Sequence, residues 1–107
     1  MNPEVKTKWL AALRSGKYRQ GKYWFRSRDG RYCAFGVLVH SCGFGRWTGG
    51  PRESLFGWEP AESGEGDPLK AVCEFAGITS TQLSEVATRN DRGESFEEIA
   101  DFVEANL

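Results

Sequence analysis

The sequence predicts a small α+β domain, mostly helical, with a short antiparallel β-hairpin near residues 22–33 and a helical pair at the C-terminal end. Three observations carry that reading. Helix start and stop signals bracket apolar stripes at both ends of the chain. Residues Tyr23 to Arg28 alternate in strand fashion and run into Asp29-Gly30. The length of 107 residues allows one core and not two, so residues 1–107 are expected as a single domain.

Asn2-Pro3-Glu4 is a helix start: Asn caps, Pro occupies the first helical position, and Glu favours the positive end of the dipole. Val5, Trp9, Leu10 and Leu13 fall on one face, with Lys6, Lys8 and Arg14 away from it. Gly16 is the expected stop. After a linker containing Gly21, the alternating stretch puts Tyr23, Phe25 and Ser27 on one side and Trp24, Arg26 and Arg28 on the other. Asp29-Gly30 predicts a type I′ turn, which needs positive φ at both central positions. Arg31 to Cys33 is the expected return strand. The run Ala34 to Val39 fits a buried strand or a buried helix ending at Gly43, with Gly36 allowing close packing; periodicity does not separate these in so short a run.

Residues 43–67 are expected as a loop, with seven glycines and two prolines in 25 residues. Phe44, Trp47, Phe56 and Trp58 within it have no use in a solvated linker, so it is expected to fold back onto the core or to line a site. Asp67-Pro68 then starts a helix with Leu69, Val72, Cys73 and Ala76 inward, stopped by Gly77. Thr79 with Gln82 makes a capping box, and Ile78 with Leu83 the matching hydrophobic staple. Asn90-Asp91-Arg92-Gly93 reads as a turn. A second capping box, Ser95 with Glu98, opens a helix whose stripe is Phe96, Ile99, Ala100, Val103 and Leu107.

The formal charge of −1 hides a split. Residues 1–48 carry ten Lys and Arg against two acids, and residues 49–107 carry four against thirteen. Either the molecule has a basic and an acidic face, or the two halves pair with each other. Three cysteines, no signal-peptide pattern and no long apolar run point to a reducing cytosol with free thiols, away from membranes.

Three stretches are similar to a known family. They are Lys8-Trp9-Leu10-Ala11-Ala12-Leu13-Arg14-Ser15-Gly16-Lys17-Tyr18-Arg19-Gln20-Gly21, Tyr32-Cys33-Ala34-Phe35-Gly36-Val37-Leu38, and Asn90-Asp91-Arg92-Gly93-Glu94-Ser95-Phe96-Glu97-Glu98-Ile99-Ala100-Asp101-Phe102-Val103-Glu104. Together they resemble a family of small uncharacterised proteins encoded by tailed phages and prophages. Residues 44–66 fall outside the likeness, and Ala34 stands where a second Cys is usual, which argues against a required Cys pair. The resemblance implies a helix from about Ala34 to Ser41 and a phage accessory gene, and it carries no established activity.

Catalytic chemistry is thinly represented. His40, Cys33, Cys42 and Cys73 show no CxxC and no His pair, so a metal site is not expected, and His40 is expected to be buried and satisfied. Cys33 and His40 are two helical turns apart but lack an orienting third group, so Cys33 is expected as a core thiol. Glu97, Asp101 and Glu104 share one polar helix face, which solvation explains. Asn90, Asp91 and Glu94 do not follow the EF-hand pattern, and no Walker motif is present. A helix-turn-helix in the last thirty residues would turn Glu94, Glu97, Glu98, Asp101 and Glu104 toward phosphate, and is set aside.

The basic and aromatic stretch is different. Lys17, Arg19, Lys22, Arg26, Arg28 and Arg31 suit phosphates, and Tyr18, Tyr23, Trp24 and Phe25 suit stacking on bases. The plain alternative is a sheet covered by cationic stems over core aromatics. An acidic second half disfavours a nucleic-acid polymer, whereas a small nucleotide-like ligand needs few cations and one or two rings. The expected function is therefore non-enzymatic: a phage accessory, anti-defence protein in the cytoplasm of an infected bacterium that sequesters a small anionic nucleotide-type signal. Its ligand-binding residues would be Lys17, Tyr18, Arg19, Trp24, Arg26, Arg28 and Trp47. Lys17, Arg19 and Arg26 would pair with phosphate, and Tyr18, Trp24 or Trp47 would stack. A homo-oligomer is expected, because joined subunits close a pocket that a short chain leaves open. No cofactor is expected. The alternative is a protein-binding inhibitor of a host defence complex, using the acidic C-terminal half to imitate nucleic acid. An enzyme using Cys33 or His40 ranks third.

Overall fold

The computed structural model describes residues 1–23, 25–27, 29–48, 55–59 and 68–107, and of residues 46–48, 55–59 and 68 it describes the backbone alone. The fold is a small α+β domain, mostly helical, and the described residues form five helices and five short strands, the strands in the order β1-β3-β2-β5-β4.

Helix α1 (Pro3–Arg14) starts as its sequence dictates. The Asn2 side chain accepts from the Glu4 and Val5 amides, and Val5, Trp9 and Leu13 are buried. Helix α2 (Ala34–Cys42) settles the open choice for residues 34–39 in favour of a helix. All six of those residues are buried, so no face is left to show a period. Trp9 is fully enclosed, and its indole Nε1 donates to the Ala34 carbonyl at 2.8 Å, tying α1 to the first turn of α2. Gly36 lies against the Phe25 backbone. A Cβ there would sit 1.7 Å from the Phe25 carbonyl oxygen, so only glycine fits.

The hairpin region holds less strand than the alternation predicted. Strand β2 (Arg26–Ser27) pairs antiparallel with β3 (Arg31–Tyr32), with Arg26 opposite Tyr32. Strand β1 (Arg19–Gln20) pairs parallel with β3, Arg19 beside Arg31 and Gln20 beside Tyr32. The expected type I′ turn is not formed. Gly30 has φ +81° but Asp29 is not in the left-handed region, and the Gly30 amide donates to the Ser27 carbonyl at 3.0 Å. Gly30 alone takes the left-handed conformation, and Asp29 is held by the Ser27 hydroxyl and by Arg31.

The stretch expected as a loop is in part strand. β4 (Arg46–Thr48) pairs antiparallel with β5 (Leu55–Glu59), and β5 pairs with β2, Arg26 opposite Phe56. The glycine count masked the β-forming character of Trp47, Phe56 and Trp58. Phe44, ahead of β4, stacks on Phe75 with ring centroids 4.0 Å apart.

Phe75 belongs to α3 (Pro68–Ala76), which Gly77 ends in the left-handed conformation. Its Val72 and Ala76 are buried, but Leu69, expected inward, is 45% exposed. Helices α4 (Ser80–Asp91) and α5 (Phe96–Asn106) form the C-terminal pair, each opened by the capping box its sequence predicts. The Arg89 guanidinium lies 3.8 Å from the Phe102 ring centroid and pairs with Glu94, pinning the connection between them. Asn90, expected in a turn, lies in the last turn of α4 and is buried.

Part of the charge split is internal pairing. Arg14 of α1 meets Asp101 at 2.9 Å and Glu104 at 2.7 Å on α5, and these bonds raise its pKa. The Lys6 ammonium donates to the Glu104 carbonyl. The acidic face of α5, expected as merely solvated, clasps α1.

Candidate functional site

Strand register sorts the predicted site residues onto two faces of the sheet. Residues directly opposite one another across paired strands point to the same face, and neighbours along a strand to opposite faces. Tyr32, Gln20 and Arg26 therefore share the face toward the helices, and Arg19 and Arg31 share the other. Arg19 and Arg26, both expected to pair with phosphate, lie on opposite faces. Arg19 instead donates to the Asp29 carbonyl at 3.3 Å, beside the Arg31–Asp29 ion pair at 3.0 Å. The Asp29 carboxyl is pulled below its ordinary value first by the Ser27 hydroxyl, with Arg31 adding to the effect.

Tyr18 lies in a cluster of rings. Its centroid is 5.1 Å from that of Tyr32, edge to face, and 5.5 Å from His40; Tyr32 and His40 are 5.4 Å apart. The Tyr18 hydroxyl and His40 Nδ1 share a hydrogen bond of 2.7 Å. Burial raises the Tyr18 pKa, with Tyr32 and Cys42 contributing. His40, expected in the core, is exposed, because it sits in the last turn of α2 where that helix emerges from the core. Tyr18 nevertheless satisfies it. Arg26 is half-buried on the sheet face that carries Tyr32. Lys17 is exposed beside Tyr18, and its ammonium has no partner among the described residues. Trp24 and Arg28 lie outside the described residues, and Trp47 is described only as backbone in β4.

Two of the three thiols are quiet. Cys33 caps α2 at its N-terminal end, and burial pushes its pKa up to about 11 against the opposing pull of the Gly36 and Phe35 amides. Burial also raises Cys42. Cys33 and His40 occupy opposite ends of one helix. Among the described residues no group of three His, Cys, Asp or Glu stands close enough to hold a metal ion, and no helix is long and apolar enough to cross a membrane.

Sequence reasoning passed over Asn90. Its Oδ1 accepts from Gln20 Nε2 at 3.1 Å and from the Ala34 amide at 3.1 Å, and its Nδ2 donates to the Gly21 carbonyl at 2.8 Å. Next to it, Asp91 Oδ1 accepts from the Tyr23 amide at 3.1 Å. The three stretches Gln20-Gly21, Cys33-Ala34 and Asn90-Asp91, far apart in sequence, therefore meet at one buried joint. Asn and Asp side by side at a helix end signal a turn locally, and only the tertiary contact shows them to be a clasp.

With the fold a helical α+β domain and the candidate site a ring cluster beside its small sheet, comparison with known proteins finds a likeness in the first part of the chain. The model of a family described as Domain of unknown function (DUF8296) matches residues 1–42, which run from the chain's first residue to the end of α2. No curated protein and no solved structure matches the chain.

Proposed function

We propose that the protein is a non-enzymatic binder of a small, flat, anionic ligand of the nucleotide type. The observation that carries this is the ring cluster Tyr18, Tyr32 and His40 with Arg26 on the same sheet face. Three rings offer stacking and edge contacts to a base, and Arg26 and Lys17 supply the charge that two phosphate oxygens require. Two quiet thiols and a hydrogen-bonded His40 suit holding a ligand better than transforming it. Tyr18, Tyr32 and Arg26 are half-buried and His40 is exposed at the edge of the cluster, so the functional unit is a homo-oligomer in which a second copy closes the site over them. The biological setting, a phage accessory protein sequestering a host signal in the cytoplasm, follows from the resemblance of the three motif stretches alone. The alternative, an acidic nucleic-acid mimic, has less support because Arg14 already engages Asp101 and Glu104.

The test is a thermal-shift screen against nucleotides, cyclic dinucleotides and NAD-derived signals. At a hundred times its dissociation constant a ligand adds about 2.7 kcal/mol, a rise of roughly 10–20 °C in a domain this size. Tyr18→Ala and Arg26→Ala abolish the shift, whereas Arg19→Ala, on the other sheet face, leaves most of it. A flat panel, or a shift insensitive to Tyr18 and Arg26, overturns the proposal.

A further inference from the structure

A cavity of about 140 Å³ opens beside the Asn90 joint, apart from the ring cluster. Phe25, Phe35, Leu83 and Ala87 give it apolar walls. A cavity of this size takes a single aromatic ring. Tyr23 and Leu69, the two exposed large hydrophobic residues among the described ones, both line it; Tyr23 is 72% exposed. Single exposed apolar residues are ordinary, but two framing one apolar cavity are a binding rim.

Tyr23 is also the one non-glycine residue at positive φ among those described, at +70°. A tyrosine held there is strained, and strain of this kind persists where surrounding structure fixes it for a purpose. Asp91 fixes it, by accepting the Tyr23 amide with Oδ1. Asp91 lines the same cavity and is the last residue of α4, where the helix dipole already places negative charge. It pairs with no cation among the described residues: Arg89 and Arg92 both turn to Glu94. The half-buried carboxylate beside an apolar hollow therefore calls for a donor or a positive charge.

We propose that this cavity is a second binding site, which takes one aromatic ring carrying an ammonium or N–H donor. The ring lies against Phe25, Phe35 and Leu83 under the Tyr23 and Leu69 rim, and Asp91 receives the donor. Its preference is opposite in sign to that of the anion-binding face and rests on none of the same residues, so either proposal fails without the other.

The experiment uses benzylamine, benzyl alcohol and benzoate, one ring with three charges, titrated into the full chain and followed by amide chemical shifts. Benzylamine is expected to shift the Tyr23, Phe25, Ala87 and Asp91 amides in a saturable way, benzyl alcohol more weakly, and benzoate least. Asp91→Asn keeps an acceptor for the Tyr23 amide but removes the charge, so it weakens benzylamine by ~10-fold and removes its lead over benzyl alcohol. Ala87→Phe, checked for an intact spectrum, fills the hollow and abolishes all three. The absence of localised shifts with any probe in the unaltered protein, or benzoate binding as tightly as benzylamine, overturns the assignment.

Discussion

Replacing Asn90 with alanine removes a side chain that joins three parts of the chain. The wild-type amide makes three hydrogen bonds, to Gln20, Ala34 and Gly21, from a residue 1% exposed. Each is worth ~1 kcal/mol net, and the partners left buried cost more than a lost bond alone. The expected destabilisation is ~2–4 kcal/mol, or roughly 10–30 °C in melting temperature for about a hundred residues. The assay is urea unfolding followed by Trp fluorescence, since Trp9 reports the α1–α2 contact beside Ala34. Asn90→Asp sharpens the test. It keeps an acceptor for the Ala34 amide but turns a carboxylate toward the Gly21 carbonyl. Burial and that carbonyl raise its folded-state pKa above the unfolded value near 4. A group raised on folding stabilises the protonated protein and loses that contribution as pH rises through the folded value. The gap between Asn90→Asp and the unaltered protein therefore narrows as pH falls toward 5. A loss below ~1 kcal/mol for Asn90→Ala, or a gap indifferent to pH, refutes the reasoning.

Two further outcomes follow from the same geometry. Gly36→Ala places a methyl 1.7 Å from the Phe25 carbonyl and forces the β2 approach off α2. The expected cost exceeds ~3 kcal/mol, read as a lost or strongly lowered thermal transition; a shift under 1 kcal/mol contradicts the contact. Cys33, raised to about 11 by burial, stays protonated in the folded state while the unfolded thiol ionises near 9. Its contribution is complete below the unfolded value and is lost as pH rises from 9 to 11, at ~3 kcal/mol across the window. Stability measured against pH in unaltered protein and in Cys33→Ala separates that loss from the rest, and identical slopes contradict it.

What the sequence made legible was what is locally determined. Asn2, Thr79 with Gln82, and Ser95 with Glu98 cap their helices through bonds two or three residues long, so their meaning survives without the fold. Helix α2 was harder because it is buried all round, and a helix with no solvent face has no period to read. The stretch 43–67 misled in the opposite way: glycines concealed two aromatic strands, of which β5 needs β2 as a partner and β4 needs β5. Tyr18 was legible as a ring beside cations, but its neighbours Tyr32 and His40 come from a different strand and from the far end of α2. Register, which a sequence does not print, set Arg19 and Arg26 on opposite faces. Asn90 was invisible because its worth lies wholly in groups about 56 to 70 residues away.

Sequestration means that a nucleotide-type ligand is held without being changed. Incubating the purified protein with the ligand that shifts it most, removing free ligand, releasing the bound fraction by heat and weighing it by mass spectrometry tests this directly. Intact ligand is expected from the unaltered protein and none from Arg26→Ala. Recovery of a converted product, or equal recovery from Arg26→Ala, contradicts it.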